Sequence, residues 1–266
     1  MIRRTLRAYP ALLRVGFAEM VAYRAEFLVW VLTTNMPLVM MGLWTAVAAD
    51  GPVGRFNQRD FVTYYLAVLV VRILTNNWLV WEMTMDVRQG TLATRLLRPI
   101  SPLVQYSAEH IAAVPMRIAM MSPVIALLMW VGGRDLLFGS FGKLAVFLLS
   151  LIGAWLILFF TMLTIGSLAM FVESALSIFD IWLAVHFVLS GYLFPLELLP
   201  KWVAPFATAL PFRYTLAFPA ETWIGKLSLA DAWRDLGIQW LYVGIMAITS
   251  TVVWRRGMRR FVAFGG

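Results

Sequence analysis

The sequence predicts an all-α, polytopic membrane protein, and three observations carry that reading. Of the 266 residues, 61% are hydrophobic and only 14% charged, against roughly 45–50% and about 25% in soluble domains. Six apolar stretches are close to the ~20 residues that cross a bilayer core of about 30 Å. Arg and Lys gather between these stretches, as the positive-inside rule requires. Open strand edges cannot lie in lipid, so the spans are helices. The net charge of +8 would suggest nucleic acid in a soluble domain; here it is loop charge. With no cysteine, disulfides, thiolate chemistry and Cys-based metal sites are excluded.

Residues 1–26 are too charged to cross. Arg3, Arg7 and Arg14 share one helical face, and Leu6, Leu12, Leu13, Phe17 and Met20 populate the rest. This predicts an amphipathic helix lying in the membrane interface. The membrane domain is expected over 27–254. Its spans are Phe27–Ala49, Phe61–Met83, Ala112–Val131, Leu144–Phe171, Ile178–Phe194 and Leu236–Trp254. The third is the weakest, interrupted by Pro115, Arg117 and Pro123. Residues 255–266 form a basic tail.

Orientation follows from the cations. One side receives the N-terminal arginines, Arg88, Arg95, Arg98, Arg117 and the run Arg255, Arg256, Arg259, Arg260. The other receives Arg55, Arg59, Arg134, Lys143, Lys201, Arg213, Lys226 and Arg234. The first group is larger and lies close to span ends. Both termini are therefore expected in the cytoplasm, in the cell's inner membrane.

Two segments are not simple spans. Between spans two and three, near 88–98, Gly90 breaks the chain and Thr91 can cap a short helix. Leu92 and Leu96 share a face of it, Arg88, Arg95 and Arg98 project elsewhere, and Pro99 and Pro102 end it. A compact apolar face held clear of the membrane suits a protein groove. Before span six, residues 195–212 are apolar but broken by Pro195, Pro200, Pro205 and Pro211. Such a stretch cannot be one long helix. It suits a re-entrant hairpin in the outer leaflet; the alternative is an outer loop with Trp202 and Phe206 as interface anchors.

This pattern resembles the permeases of type-two ABC exporters, and covers essentially the whole chain. Ser190-Gly191-Tyr192-Leu193-Phe194-Pro195-Leu196, then Leu199-Pro200-Lys201-Trp202 and Leu210-Pro211-Phe212, is similar to the family's signature after span five. Arg88-Gln89-Gly90-Thr91-Leu92 with Leu96-Leu97-Arg98-Pro99-Ile100 resembles a branch of small six-span permeases often encoded as unequal pairs beside one ATPase. The resemblance implies two ABC ATPase subunits that hold ATP and Mg and dock on the helix near Thr91–Leu97. It also implies a second permease, identical or paralogous. The sequence agrees on one point: no G-x-x-x-x-G-K-[ST] loop is present, so no P-loop ATP site or other cofactor is expected in this chain.

Within the membrane, Arg72 is the outstanding charge, near the middle of span two, where an arginine costs roughly 2.5–3.5 kcal/mol. It reads as a residue of a translocation path or interface meeting an anionic group, or as an arginine paired structurally. Asn76 and Asn77 would continue its helix one turn on, and Asn35 lies in span one; such residues serve interhelical hydrogen bonds more often than ligands. His110 and His186 are isolated, and no zinc or G-x-S-x-G motif occurs. The expected function is therefore a non-catalytic permease subunit. The competing readings are a non-transporting scaffold or sensor on the same fold, and an ion-coupled secondary transporter.

Overall fold

The computed structural model describes residues 2–23, 25, 29, 36–132 and 141–261. Among these residues the fold is helical throughout; the single extended pairing is a Val53–Phe56 bridge. Helix α1 is Ile2–Ala22, α2 Met36–Val47, α3 Gln58–Thr75, α4 Leu79–Arg88, α5 Thr91–Leu96, α6 Pro102–Ala112 and α7 Val114–Gly132. Then follow α8 Phe141–Ser167, α9 Ala175–Leu189, α10 Ala204–Ala209, α11 Ala217–Trp223 and α12 Leu229–Met258. Four helical stretches are long and apolar enough to cross a membrane: Gln58–Arg88, Pro102–Val131, Phe141–Met170 and Leu229–Met258. Met36–Val47 and Ala175–Leu189 are apolar but shorter. At 1.5 Å per residue α9 reaches only about 22 Å. The beginning of the expected first span, with Asn35, and positions Arg24, Arg134 and 262–266 lie outside the described residues.

Helix boundaries follow local chemistry. Helix α3 opens with a reciprocal cap: the Asn57 amide donates to Asp60 Oδ2 at 2.9 Å and the Asp60 amide to Asn57 Oδ1 at 3.0 Å. Helix α12 is capped by Ser228, whose hydroxyl accepts from the Asp231 amide at 3.1 Å, and its first residue, Leu229, lies seven residues before the expected start of span six. Span three also begins earlier than expected, at Pro102, because Pro at the first helical position has no amide to leave unsatisfied. A single turn residue, Ala113, separates α6 from α7, next to Pro115 with its missing donor.

Span two corrects a simple expectation. Asn76 and Asn77 do not continue the helix. Asn76 adopts an extended conformation (φ −62°, ψ 142°) and the chain resumes helix only at Leu79. The membrane stretch is therefore two half-helices, α3 and α4. It is also the most enclosed: 67% of its apolar window is buried inside the chain, against 28% for Pro102–Val131 and 22% for Leu229–Met258. Arg117, expected among cytoplasmic loop cations, is buried and donates to the Asn76 carbonyl exposed by the break.

Helix α8 is the hub, packing on α12, α4, α11, α3 and α9. The two largest of the apolar cores among the described residues lie at opposite halves of span two. One gathers Phe61, Tyr64, Tyr65 and Val68 of α3 with Tyr192, Leu216 and Trp223 of the outer region. The other gathers Leu79, Val80 and Met83 of α4 with Leu92, Tyr106, Met162 and Phe179. Helix α1 packs along α6, with Tyr9 and Ser107 hydroxyls 3.3 Å apart. Its Arg7 and Arg14 are exposed.

Candidate functional site

Three arrangements have functional geometry, one at each level of the bundle. At the basic end, α5 is strapped to its neighbours through Asp86. That carboxylate accepts from Thr91 Oγ1 at 2.7 Å, Arg95 Nε at 2.7 Å and Tyr106 Oη at 2.6 Å. Arg95 also donates to Glu109 Oε1 at 2.7 Å and lies over the Tyr106 ring. Burial works against the Arg95 charge, but Glu109 and Asp86 more than offset it and push its pKa up. Gln105 Nε2 closes the turn by donating to the carbonyls of Arg95 and Ile100. Helix α5 is thereby a rigid extension of α4 and α6. Between it, α4, α6 and α1 lies a cleft of about 910 Å³, in which Glu82 and His110 approach to 3.3 Å.

At the break in span two, a smaller cavity of about 280 Å³ opens between α3–α4 and α9. Arg72, Asn76 and Asn77 come from the broken span, and Trp182, His186 and Tyr192 from the opposite side. Arg72 lies 5.3 Å from the centre of the Tyr192 ring. His186 stacks on Trp182, and its Nε2 is 3.0 Å from Thr215 Oγ1.

At the outer end, the segment after α9 is pinned to spans one and two. Gly191 sits at φ +86°. Tyr64 Oη donates to the Gly191 carbonyl at 2.7 Å; Tyr65 Oη and Trp44 Nε1 both donate to the Leu193 carbonyl, at 2.8 and 2.9 Å. Farther on, Arg213 bridges Glu221 at 2.9 Å and Asp235 at 2.8 Å in a nearly dry site. Burial pushes the Glu221 carboxyl above its ordinary range, and Arg213 only partly counters it.

Residues 25–265 match the family model described as ABC-2 family transporter protein. The chain belongs to the ABC-2 transporter family. No curated protein matches it. The ABC-2 assignment makes the chain a membrane permease and gives the three arrangements a common context.

In this permease the expected docking residues separate into two groups. Leu92, expected on the docking face, is not at the surface: it is fully buried in the core formed with α4 and α6. Arg95 is likewise turned inward by Asp86 and Glu109. Thr91 is the first helical residue rather than the cap; Gly90, at φ +76°, holds the cap position. The exposed surface is instead Leu96, Leu97 (86% exposed) and Arg98. Arg88 is exposed too, but it donates to the Glu173 carbonyl in the turn before α9. Arg72 and Asn76 line one cavity; Asn35 lies outside the described residues. Of the re-entrant motif, Gly191 and Pro211 lie in turns, and Pro195 and Pro200 lie in irregular chain on either side of the 3-10 turn Leu196–Leu198, with Trp202 and Phe206 exposed.

Sequence reasoning missed Asp86, Tyr106 and Glu109, and the Arg213–Glu221–Asp235 triad. An acid just before a Gly-started basic helix was a usable signal for the first. The triad joins positions 22 residues apart and had none.

Proposed function

We propose that this ABC-2 permease is a six-span subunit of an exporter driven by separate ATPase chains. Residues 1–26 form the interfacial helix, 27–254 the membrane domain and 255–266 a cytoplasmic tail. The two shorter apolar helices, α2 and α9, belong to the first and fifth spans, and 195–212 dips into the outer leaflet. Both termini face the cytoplasm of the inner membrane. Two ATPase subunits carry ATP and Mg, and a second permease, identical or paralogous, completes the pathway.

The observation that carries this reading is the braced α5. A short helix that ends in the exposed residues Leu96, Leu97 and Arg98, with four side chains fixing it inward, is built to receive force rather than to flex. The cavity at the helix break favours a solute path over a mere scaffold. With the permease co-expressed with its ATPase, Leu97→Asp is expected to abolish co-purification of the two while leaving membrane insertion unchanged. Retained co-purification, or an ATPase whose activity never responds to the permease, would defeat the reading.

A further inference from the structure

The residues around the cavity at the break in span two carry buried polar atoms that the fold leaves without a partner. Both carboxamide atoms of Asn77, which is 7% exposed, have no hydrogen-bond partner among the described residues, and neither have Asn76 Nδ2 and His186 Nδ1. All four belong to residues lining the same space. Leaving a buried polar atom without a partner is costly to a fold. Four such atoms around one cavity are what a preformed recognition site looks like before its ligand arrives.

The donor pattern specifies the ligand. Thr215 Oγ1 gives its proton to the Phe212 carbonyl at 2.6 Å, so it accepts from His186 Nε2–H. His186 Nδ1 is then an unpartnered acceptor on a residue that lines the cavity. Asn76 Nδ2 and Asn77 Nδ2 are donors, Asn77 Oδ1 is an acceptor, and Arg72 supplies positive charge. An anionic head that also carries an acidic hydroxyl satisfies this set. The walls, with Trp81, Trp182 and Phe187, are flat and aromatic and suit an aryl body. The exposed Asp180 at the rim repels an anion from the far end and so orients the head toward Arg72.

We propose that this cavity binds an aryl-bodied amphipathic anion with a hydroxylated head, of which an aryl phosphate monoester is the simplest form. The proposal rests on the permease reading for its meaning as a substrate site, but binding itself does not require transport.

The test is equilibrium binding to the full chain in phosphatidylcholine nanodiscs, read by quenching of tryptophan fluorescence. Three probes share one body: 2-naphthyl phosphate, 2-naphthyl sulfate and (2-naphthyl)trimethylammonium. At about pH 6, where a phosphate monoester keeps an acidic hydroxyl on much of its population, the expected order is phosphate, then sulfate, then the cation without saturable binding. Asn77→Leu and Arg72→Leu should each weaken the phosphate about tenfold or more, and Arg72→Lys less, because hydrogen bonds to charged groups are at stake. His186→Phe should erase the difference between phosphate and sulfate. If Arg72→Leu fails to assemble, the Asn77 and His186 variants carry the test. Equal binding of the three probes, or unchanged affinity in the Asn77 and His186 variants, would overturn the proposal. Selective binding without any ATPase coupling would leave the site standing and defeat the permease reading instead; coupled transport insensitive to these variants would do the reverse.

Discussion

Gly191 concentrates more constraint than any of its neighbours. A side chain there would have to adopt a left-handed conformation, and its Cβ would lie 2.5 Å from the Tyr64 hydroxyl and 2.8 Å from Ala217 Cβ. Gly225 has a similar φ, +74°, but nothing within 4 Å. Gly225→Ala should therefore cost only the backbone strain, about 1 kcal/mol, whereas Gly191→Ala adds overpacking of about 1–3 kcal/mol. Thermal unfolding of the purified variants, followed by size exclusion, should show a clear loss of midpoint for Gly191→Ala and a small one for Gly225→Ala. The same contrast holds on α5. Leu92→Ala empties a site in a closed core and should cost about 2–5 kcal/mol; Leu97→Ala should stay within about 0.5 kcal/mol. Spacing alone could not separate these leucines. Heptad-like logic finds a shared face, but which face turns inward depends on Asp86, Tyr106 and Glu109, which arrive from other helices.

At the scale of the element, the network around Asp86 decides whether α5 moves with its neighbours. Asp86 and Arg95 keep side-chain exposures of 16% and 19%, so their pairing is only modestly screened. Asp86→Ala should cost about 2–3 kcal/mol, since three donors lose a charged acceptor together. Limited trypsinolysis should cut faster after Arg95 in that variant, and an associated ATPase should hydrolyse ATP with less transport per turnover. An unchanged cleavage rate would mean that Leu92, Glu109 and Gln105 hold α5 without Asp86. The existence of α5, and of the long apolar helices, was legible in the sequence because composition, glycine and proline mark them directly. The break at Asn76–Trp78 was not: neither asparagine nor tryptophan forbids helix, and the partner that satisfies the opened carbonyl, Arg117, lies 41 residues away.

Over the whole molecule, the chain contains no cysteine, which allows its orientation to be read one position at a time. Trp202→Cys should react with a membrane-impermeant maleimide added to intact cells, because Trp202 is 84% exposed at the proposed outer face. Leu97→Cys should react only after the membrane is opened. Labelling of both from outside would reverse the proposed orientation. The architecture as a class was readable from hydropathy and charge. The outer region was readable only as a proline-broken stretch, because its order comes from distant hydroxyls and indole nitrogens, those of Tyr64, Tyr65 and Trp44, converging on two carbonyls. The interruption in span two has one more consequence. A continuous rod between the two faces of the bilayer would have to tilt as a single piece. Two short staves, each glued into its own apolar block and meeting at a pair of asparagines, behave as a knee. On the proposed function, force arriving at the basic end would swing the lower stave while the upper one stays with the outer face, and the joint, at Asn76 and Asn77, is also part of the cavity wall.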